Sequence, residues 1–322
     1  MIQPPPQDKT NPAIGRPALC NLSPQELPAA ADMTPGGAAI ARDWMSGLQT
    51  AEPGTRFDSS VPHPARVYAY WLGGKDHFSA DRKAADEVIR LRPQVVASAR
   101  ANRSFLARVV RLLAAECGIR QFLDVGTGMP APDNTHEVAQ RAAPESSVVY
   151  VDNDPQVLAH ARALLSSTTV EGTCGYVEAD LREPETILAQ AARTLDFTRP
   201  AAILLLAVLH FIEDAAGPAE IVSVLASALA PGSYVVISHL TGDLAPEQVA
   251  AATDAYNKLA AAPVIARSHT QVSELFGGLP LLAPAVVPVT EWRPVLGDPF
   301  GQPADLHAGV ARVPGRAQPT IS

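Results

Sequence analysis

Three carboxylates follow apolar runs in this chain: Asp124 within QFLDVGTGM (121–129), Asp152 within VVYVDND (148–154), and Asp180 after the run 175–179. An apolar run that ends in acid or glycine reads as a buried strand delivering polar groups at its carboxyl end. Acids at successive strand tips share one crevice, where they suit a ligand carrying ammonium and hydroxyl groups. In Asp124-Val125-Gly126-Thr127-Gly128 the glycines allow a tight turn and a close backbone approach, and a following helix would turn free N–H groups toward an anion. Asp152, with Asn153 beside it, is placed to accept hydrogen bonds from both hydroxyls of a ribose. Asp180, followed by Leu181, could accept from an adenine amino group; capping a helix over 183–193 is its other reading.

Two nucleoside cofactors fit such a loop. Gly126-x-Gly128-x-x-Ala131 matches the dinucleotide fingerprint with its permitted final alanine. Against it, a carboxylate two residues ahead of the first glycine would repel a pyrophosphate. The same carboxylate suits S-adenosylmethionine, which offers an ammonium group to Asp124, a carboxylate to the loop N–H groups and a ribose to Asp152. Pro130 and Pro132 also disfavour a helix directly after the loop, which a dinucleotide motif needs. DNTHE (133–137) reads as the later start of that helix, with Asp133 or Asn134 as cap and Asn134 or Thr135 near the ligand.

Two histidines close strand-like runs, His210 after 201–209 and His239 at the end of 233–239. Each is a candidate base for an acceptor that must lose a proton, and each also reads as a packed or hydrogen-bonded ring. Ahead of the acids, VPHPARVYAYWLGGKDHF (61–78) concentrates Tyr68, Tyr70, Trp71 and Phe78 in a chain that is 5% aromatic. Either this cluster packs a helical cap onto the core or it closes the site, with Tyr70 as a candidate side chain. Gly73-Gly74 ends the helix 65–72 and could bring backbone against a ligand. Arg100 and Arg103 lie a turn apart beside the apolar stripe of the helix 94–116, as surface charge or as a clamp for a carboxylate.

The elements that must hold these residues alternate from position 121 onward. After the acidic strands come apolar runs at 201–209 and 233–239, with helices at 155–165, 183–193, 217–229, 246–260 and 268–276. Strands at 281–289 and 307–313 form a closing antiparallel pair. This alternation predicts a doubly wound α/β sheet. Helices at 65–72, 80–91 and 94–116 precede it. The expected organisation is a disordered leader over 1–60 with a short helix around 38–48, a helical cap over 61–118, a cofactor-binding domain over 119–314 and a tail over 315–322.

Composition sets the outer limits. Of 322 residues, 47% are hydrophobic, ample for one large α/β core. A net charge of −8 leaves no basic stripe for nucleic acid or an anionic membrane. Cys20, Cys117 and Cys174 lie far apart, an odd count without metal-type spacing that suits a reducing compartment. No apolar run behind a basic start suggests a signal peptide, and 201–209 is too short to span a bilayer. A soluble cytoplasmic protein without metal is expected.

Taken together, HPARVYAYWLGGKDHF, ARANRSFLARVVRLL, QFLDVGTGMPAPDNTHEVAQ, VVYVDNDPQVLAHARALL, AVLHFIED and APGSYVVISH make the chain resemble the actinobacterial S-adenosylmethionine-dependent methyltransferases grouped as DUF574, over roughly 61–313. The resemblance implies a class I methyltransferase (Rossmann-like) sheet of seven strands, the last antiparallel, with the N-terminal helical cap over the cofactor. It implies that Asp124, Gly126, Gly128, Asp152 and Asp180 hold the cofactor; Thr127, Asn134, Asn153 and Leu181 complete the expected set. It names no acceptor. The expected activity is O- or N-methylation of a small metabolite between the aromatic cap and 210–214. A non-catalytic cofactor-binding sensor and an NAD-dependent oxidoreductase are the alternatives.

Overall fold

The computed structural model describes residues 58–295 and 303–315. The expected leader up to position 57, the helix around 38–48 and the tail beyond 315 lie outside the described residues. In chain order the helices are α1 (Pro64–Trp71), α2 (Ser79–Leu91), α3 (Val95–Ala115), α4 (Thr135–Ala142), α5 (Pro155–Leu164), α6 (Pro184–Ala191), α7 (Pro218–Ser227), α8 (Pro246–Asn257) and α9 (His269–Glu274). The strands are β1 (Gln121–Val125), β2 (Ser147–Asp152), β3 (Thr173–Glu178), β4 (Ala202–Leu206), β5 (Tyr234–Leu240), β6 (Val287–Pro288) and β7 (Leu306–Arg312). Five of these helices, α1, α5, α6, α7 and α8, open on proline, whose fixed φ and missing N–H suit the first turn and mark where the preceding loop stops.

Among the described residues the strands form one sheet in the order β3-β2-β1-β4-β5-β7-β6. All neighbours from β3 to β5 pair in parallel, and β7 runs antiparallel to both β5 and β6. Side chains alternate between two buried layers, as the two-residue strand period requires. Phe122, Val148, Leu204 and Val236 pack with the stripe of α3 (Phe105, Val109, Leu113), and full burial of each such residue contributes about 1.5–3 kcal/mol. Leu123, Val149, Ile203 and Val235 pack on the opposite face with Ile187, Leu225 and Val272 of α6, α7 and α9. Helices on both faces explain why the central strands read as unbroken apolar runs.

A third cluster joins Val67 of α1, Ala84, Ala85 and Val88 of α2, and Ala252 and Tyr256 of α8. The N-terminal helices therefore pack on a helix that follows β5, whereas α3 belongs to the sheet's own core. One buried ion pair latches them: Arg66 Nε donates to Asp81 Oδ2 at 2.8 Å, and the backbone N–H groups of His63 and Phe78 donate to the same carboxylate. The expected strand 281–289 is shorter than the apolar run suggests. Pro284 and Pro288 have no N–H to donate and Ala285 has φ +70°, so only Val287–Pro288 and an isolated bridge from Leu281 to Ala311 remain. No described helix is long and apolar enough to cross a membrane.

Candidate active site

A cavity of about 300 Å³ lies between the carboxyl ends of the parallel strands and helices α1, α2, α3 and α8. It sits at the switch point between β1 and β4, where the strand order reverses and open α/β sheets leave a crevice. Asp124, Asp152 and Asp180 all line it, together with Gly126, Thr127, Gly128, Asn153, Leu181 and His210. The three strand-tip acids thus share one chamber. Gly126 has φ +74°, and a Cβ there would stand 2.3 Å from Val208 Cγ2, so the β1 and β4 loops can meet only over a glycine.

Two of the three acids are raised by burial and one is neutralised. Burial pushes the Asp124 carboxyl above the usual range, against a 2.6 Å hydrogen bond from Thr135 Oγ1 and the positive charge of Arg103. Burial likewise pushes Asp152 up to about 6, although it accepts from Gly128 N at 2.9 Å and Asp154 N at 3.0 Å. Asp180 goes the other way, to about 2, because Arg182 holds it with a two-pronged pair at 2.9 and 2.7 Å.

Several expectations for the loop need correction. Gly126 N and Thr127 N both donate to Val151 O, at 2.8 and 3.1 Å, and Gly128 N is spent on Asp152. The Thr127 hydroxyl donates to Asp124 O and Val151 O. The loop N–H groups from 126 to 128 are therefore consumed inside the protein, and α4 begins only at Thr135, beyond Pro130 and Pro132. A buried donor without a partner is found instead on Arg103, which lines the cavity: its Nε has no hydrogen-bond partner while its Nη2 donates to Pro132 O and Asp133 O. Its neighbour Arg100 is exposed and off the cavity, turned about 60° further from the inner face of Ala99, Asn102 and Phe105. Asn134 also stands off the cavity; its side-chain oxygen accepts from Ala131 N at 3.1 Å and so shapes the loop from behind.

Asp180 accepts four hydrogen bonds: from Arg182 N and Nε on one oxygen, and from Arg182 NH2 and Asn153 Nδ2 (3.3 Å) on the other. A carboxylate has about four lone-pair sites, so its acceptor capacity is filled from within. An incoming amino group would have to displace Asn153, the longest of the four. Leu181, next in the chain, is buried and lines the cavity.

From the cap, Tyr68 and Trp71 line the cavity, and Tyr70 does not: its hydroxyl donates to Asp86 at 2.8 Å on the outer side. Gly73 and Gly74 are exposed and finish α1, with Gly74 N donating to Ala69 O at 2.8 Å; they approach no ligand space. Tyr68 is anchored through a chain of side chains that sequence reasoning missed. Its hydroxyl donates to Ala99 O and accepts from Asn102 Nδ2, while Asn102 Oδ1 accepts from Ser238 Oγ of β5 at 2.6 Å.

The two histidines separate cleanly. His239 is fully buried and off the cavity; its Nδ1–H donates to Leu240 O at 2.7 Å and its Nε2 accepts from Arg267 at 2.8 Å. With both nitrogens committed, and burial lowering its pKa to about 4, it cannot take a proton from a substrate. His210 lines the cavity, and its buried Nδ1 has no hydrogen-bond partner. Burial first, then His239 and Arg267, hold it well below the usual histidine range, hence neutral near pH 7. Its loop is braced by the buried Arg267, which donates to Leu209 O, Ile212 O and Asp214 Oδ1. Nothing in the sequence around Arg267 advertised that role; a charge in VIARSH reads as surface until the fold buries it.

The sequence profile of a family described as S-adenosyl methyltransferase matches residues 50–314. A crystal structure of a DUF574 family protein from Streptomyces avermitilis is 42% identical, with 80% of this chain and all of that one covered at a TM-score of 0.76. A candidate methyltransferase from Thermobifida fusca is 40% identical, with 83% of this chain and all of that one covered at a TM-score of 0.72. No functionally curated protein matches this chain.

Proposed function

Because the chain belongs to the S-adenosyl methyltransferase family, we propose that it methylates an oxygen or nitrogen of a small metabolite, with the acidic crevice holding the cofactor and the cap side of the cavity holding the acceptor. The cofactor of this family is S-adenosylmethionine, and the nicotinamide alternative falls with that membership.

The observation that carries the residue assignments is the pairing of a buried, poorly neutralised acid with a buried, unpartnered guanidinium nitrogen in one crevice. Asp124 needs a cation and Arg103 Nε needs an acceptor. The ammonium and carboxylate of a methionyl group meet both needs. Asp152 keeps acceptor capacity for the ribose hydroxyls, and Leu181 with Asn153 frames the base. When bound, the cofactor supplies an electrophilic methyl group, so the protein's contribution is chiefly alignment, worth several kcal/mol (about 7–11 at best).

His210 is the side chain placed to meet an acceptor's proton. Kept neutral by burial, its ring accepts a hydrogen bond from a hydroxyl or amine, orienting the lone pair, and takes the proton as charge develops on that atom. Arg267 is a positioning residue for His210, and the Tyr68–Asn102–Ser238 chain fixes the cap wall against β5.

Calorimetry with S-adenosylhomocysteine tests the cofactor half. Arg103→Met should weaken binding about tenfold to a hundredfold, the value of a hydrogen bond to a charged partner, and unchanged affinity would refute the clamp. Transfer of labelled methyl to a metabolite extract tests the catalytic half: tight cofactor binding without any transfer would favour the sensor reading.

A further inference from the structure

Val67, Trp71, Val88, Phe211, Ala252 and Val264 line the cavity and belong to one apolar cluster. Charged groups that reach this region cancel each other. Arg92 donates to both oxygens of Asp305, at 2.8 and 2.7 Å, and Ser98 Oγ accepts from Asp305 N. Tyr68 is spent on Ala99 O and Asn102. Tyr256 of α8 is unpaired: it lines the cavity, is 4% exposed, and its buried hydroxyl has no hydrogen-bond partner. Buried hydroxyls are nearly always paired, so one left over beside an apolar chamber points to a ligand group that pairs with it. Burial, reinforced by Asp81, pushes the hydroxyl above the usual tyrosine range, which leaves it protonated and able to donate near neutral pH.

Resting on the methyltransferase reading above, we propose that the acceptor is a neutral, ring-bearing hydroxyl compound, seated between α1, α2 and α8 with its oxygen function oriented by the Tyr256 hydroxyl. The apolar walls and the Trp71 and Phe211 rings favour a flat hydrophobic body. An anionic acceptor would lose its hydration without gaining a counter-ion, since Arg92 is already paired. Tyr256 is a positioning residue here; His210, on the loop after β4, faces the same cavity from the cofactor side.

The test uses the full chain saturated with S-adenosylhomocysteine and three probes of one shape: 2-naphthol, naphthalene and 2-naphthoate, titrated by calorimetry. 2-Naphthol should bind saturably and 2-naphthoate at least about tenfold more weakly. Tyr256→Phe should weaken 2-naphthol about tenfold, the worth of one neutral hydrogen bond, while leaving naphthalene and S-adenosylhomocysteine unchanged. Ala252→Phe, which fills the chamber from α8, should remove 2-naphthol binding and spare S-adenosylhomocysteine. The proposal is overturned if 2-naphthol does not bind, if 2-naphthoate binds as well, if Tyr256→Phe treats the probes alike, or if Ala252→Phe still binds 2-naphthol. Failure of S-adenosylhomocysteine itself to bind is seen in the first titration and counts against the methyltransferase site, not against the acceptor class alone.

Discussion

Acidification should loosen the cofactor chiefly through Asp152. Its carboxyl is raised by burial to about 6, so it is almost wholly ionised at pH 8 and only about one tenth ionised at pH 5. Only the carboxylate can accept from two ribose hydroxyls while also holding Gly128 N and Asp154 N. The dissociation constant for S-adenosylhomocysteine should therefore rise about tenfold from pH 8 to pH 5, about 1.4 kcal/mol. Stability of the ligand-free protein moves oppositely. An acid whose folded pKa is raised contributes stability below the ordinary carboxyl pKa and loses it as pH climbs through about 6, about 3 kcal/mol in all. Calorimetry across this range in buffers of different ionisation enthalpy reads both the affinity and the proton released on binding near pH 6. Asp152→Asn should bind more weakly at pH 8 and show a shallower slope. A flat profile in the native protein, or an unchanged slope in Asp152→Asn, would refute the reasoning.

Three further outcomes follow from the geometry. Gly126→Ala should destabilise by about 2 kcal/mol or more in urea titration and abolish cofactor binding, since φ is positive and Val208 Cγ2 lies 2.3 Å from the new Cβ. Removing the acid in Asp81→Ala leaves Arg66 without its main buried counter-ion and should cost about 3–5 kcal/mol; a loss under about 1 kcal/mol in the same titration would show that the latch is not what holds α1 on α2. His239, buried neutral with its pKa lowered to about 4, should withdraw stability as pH falls from 6.5 toward 4, by about 3 kcal/mol. His239→Gln should flatten that acid limb in thermal melts, and a limb of unchanged steepness would contradict the assignment.

Much of the site could be read before any folding. Strand tips are local facts: an apolar run ending in acid or glycine places its polar residue at the sheet's carboxyl edge, and Asp124, Gly126, Asp152 and Asp180 were legible for that reason, as was the β-α alternation. Helix starts were equally local, because proline and Asx residues act within one turn. What escaped was which face of a helix meets the crevice and which polar groups are already satisfied. Arg103 rather than Arg100, Tyr68 rather than Tyr70, and His210 rather than His239 were decided by packing between segments far apart in the chain. Arg267 reaches His239 across 28 positions and Ser238 reaches Asn102 across 136, distances over which sequence spacing carries no directional information. Hydrogen-bond capacity is spent only once the fold exists, so the order of residues could name the candidates, while the tertiary structure alone fixed which of them line the cavity with capacity unspent.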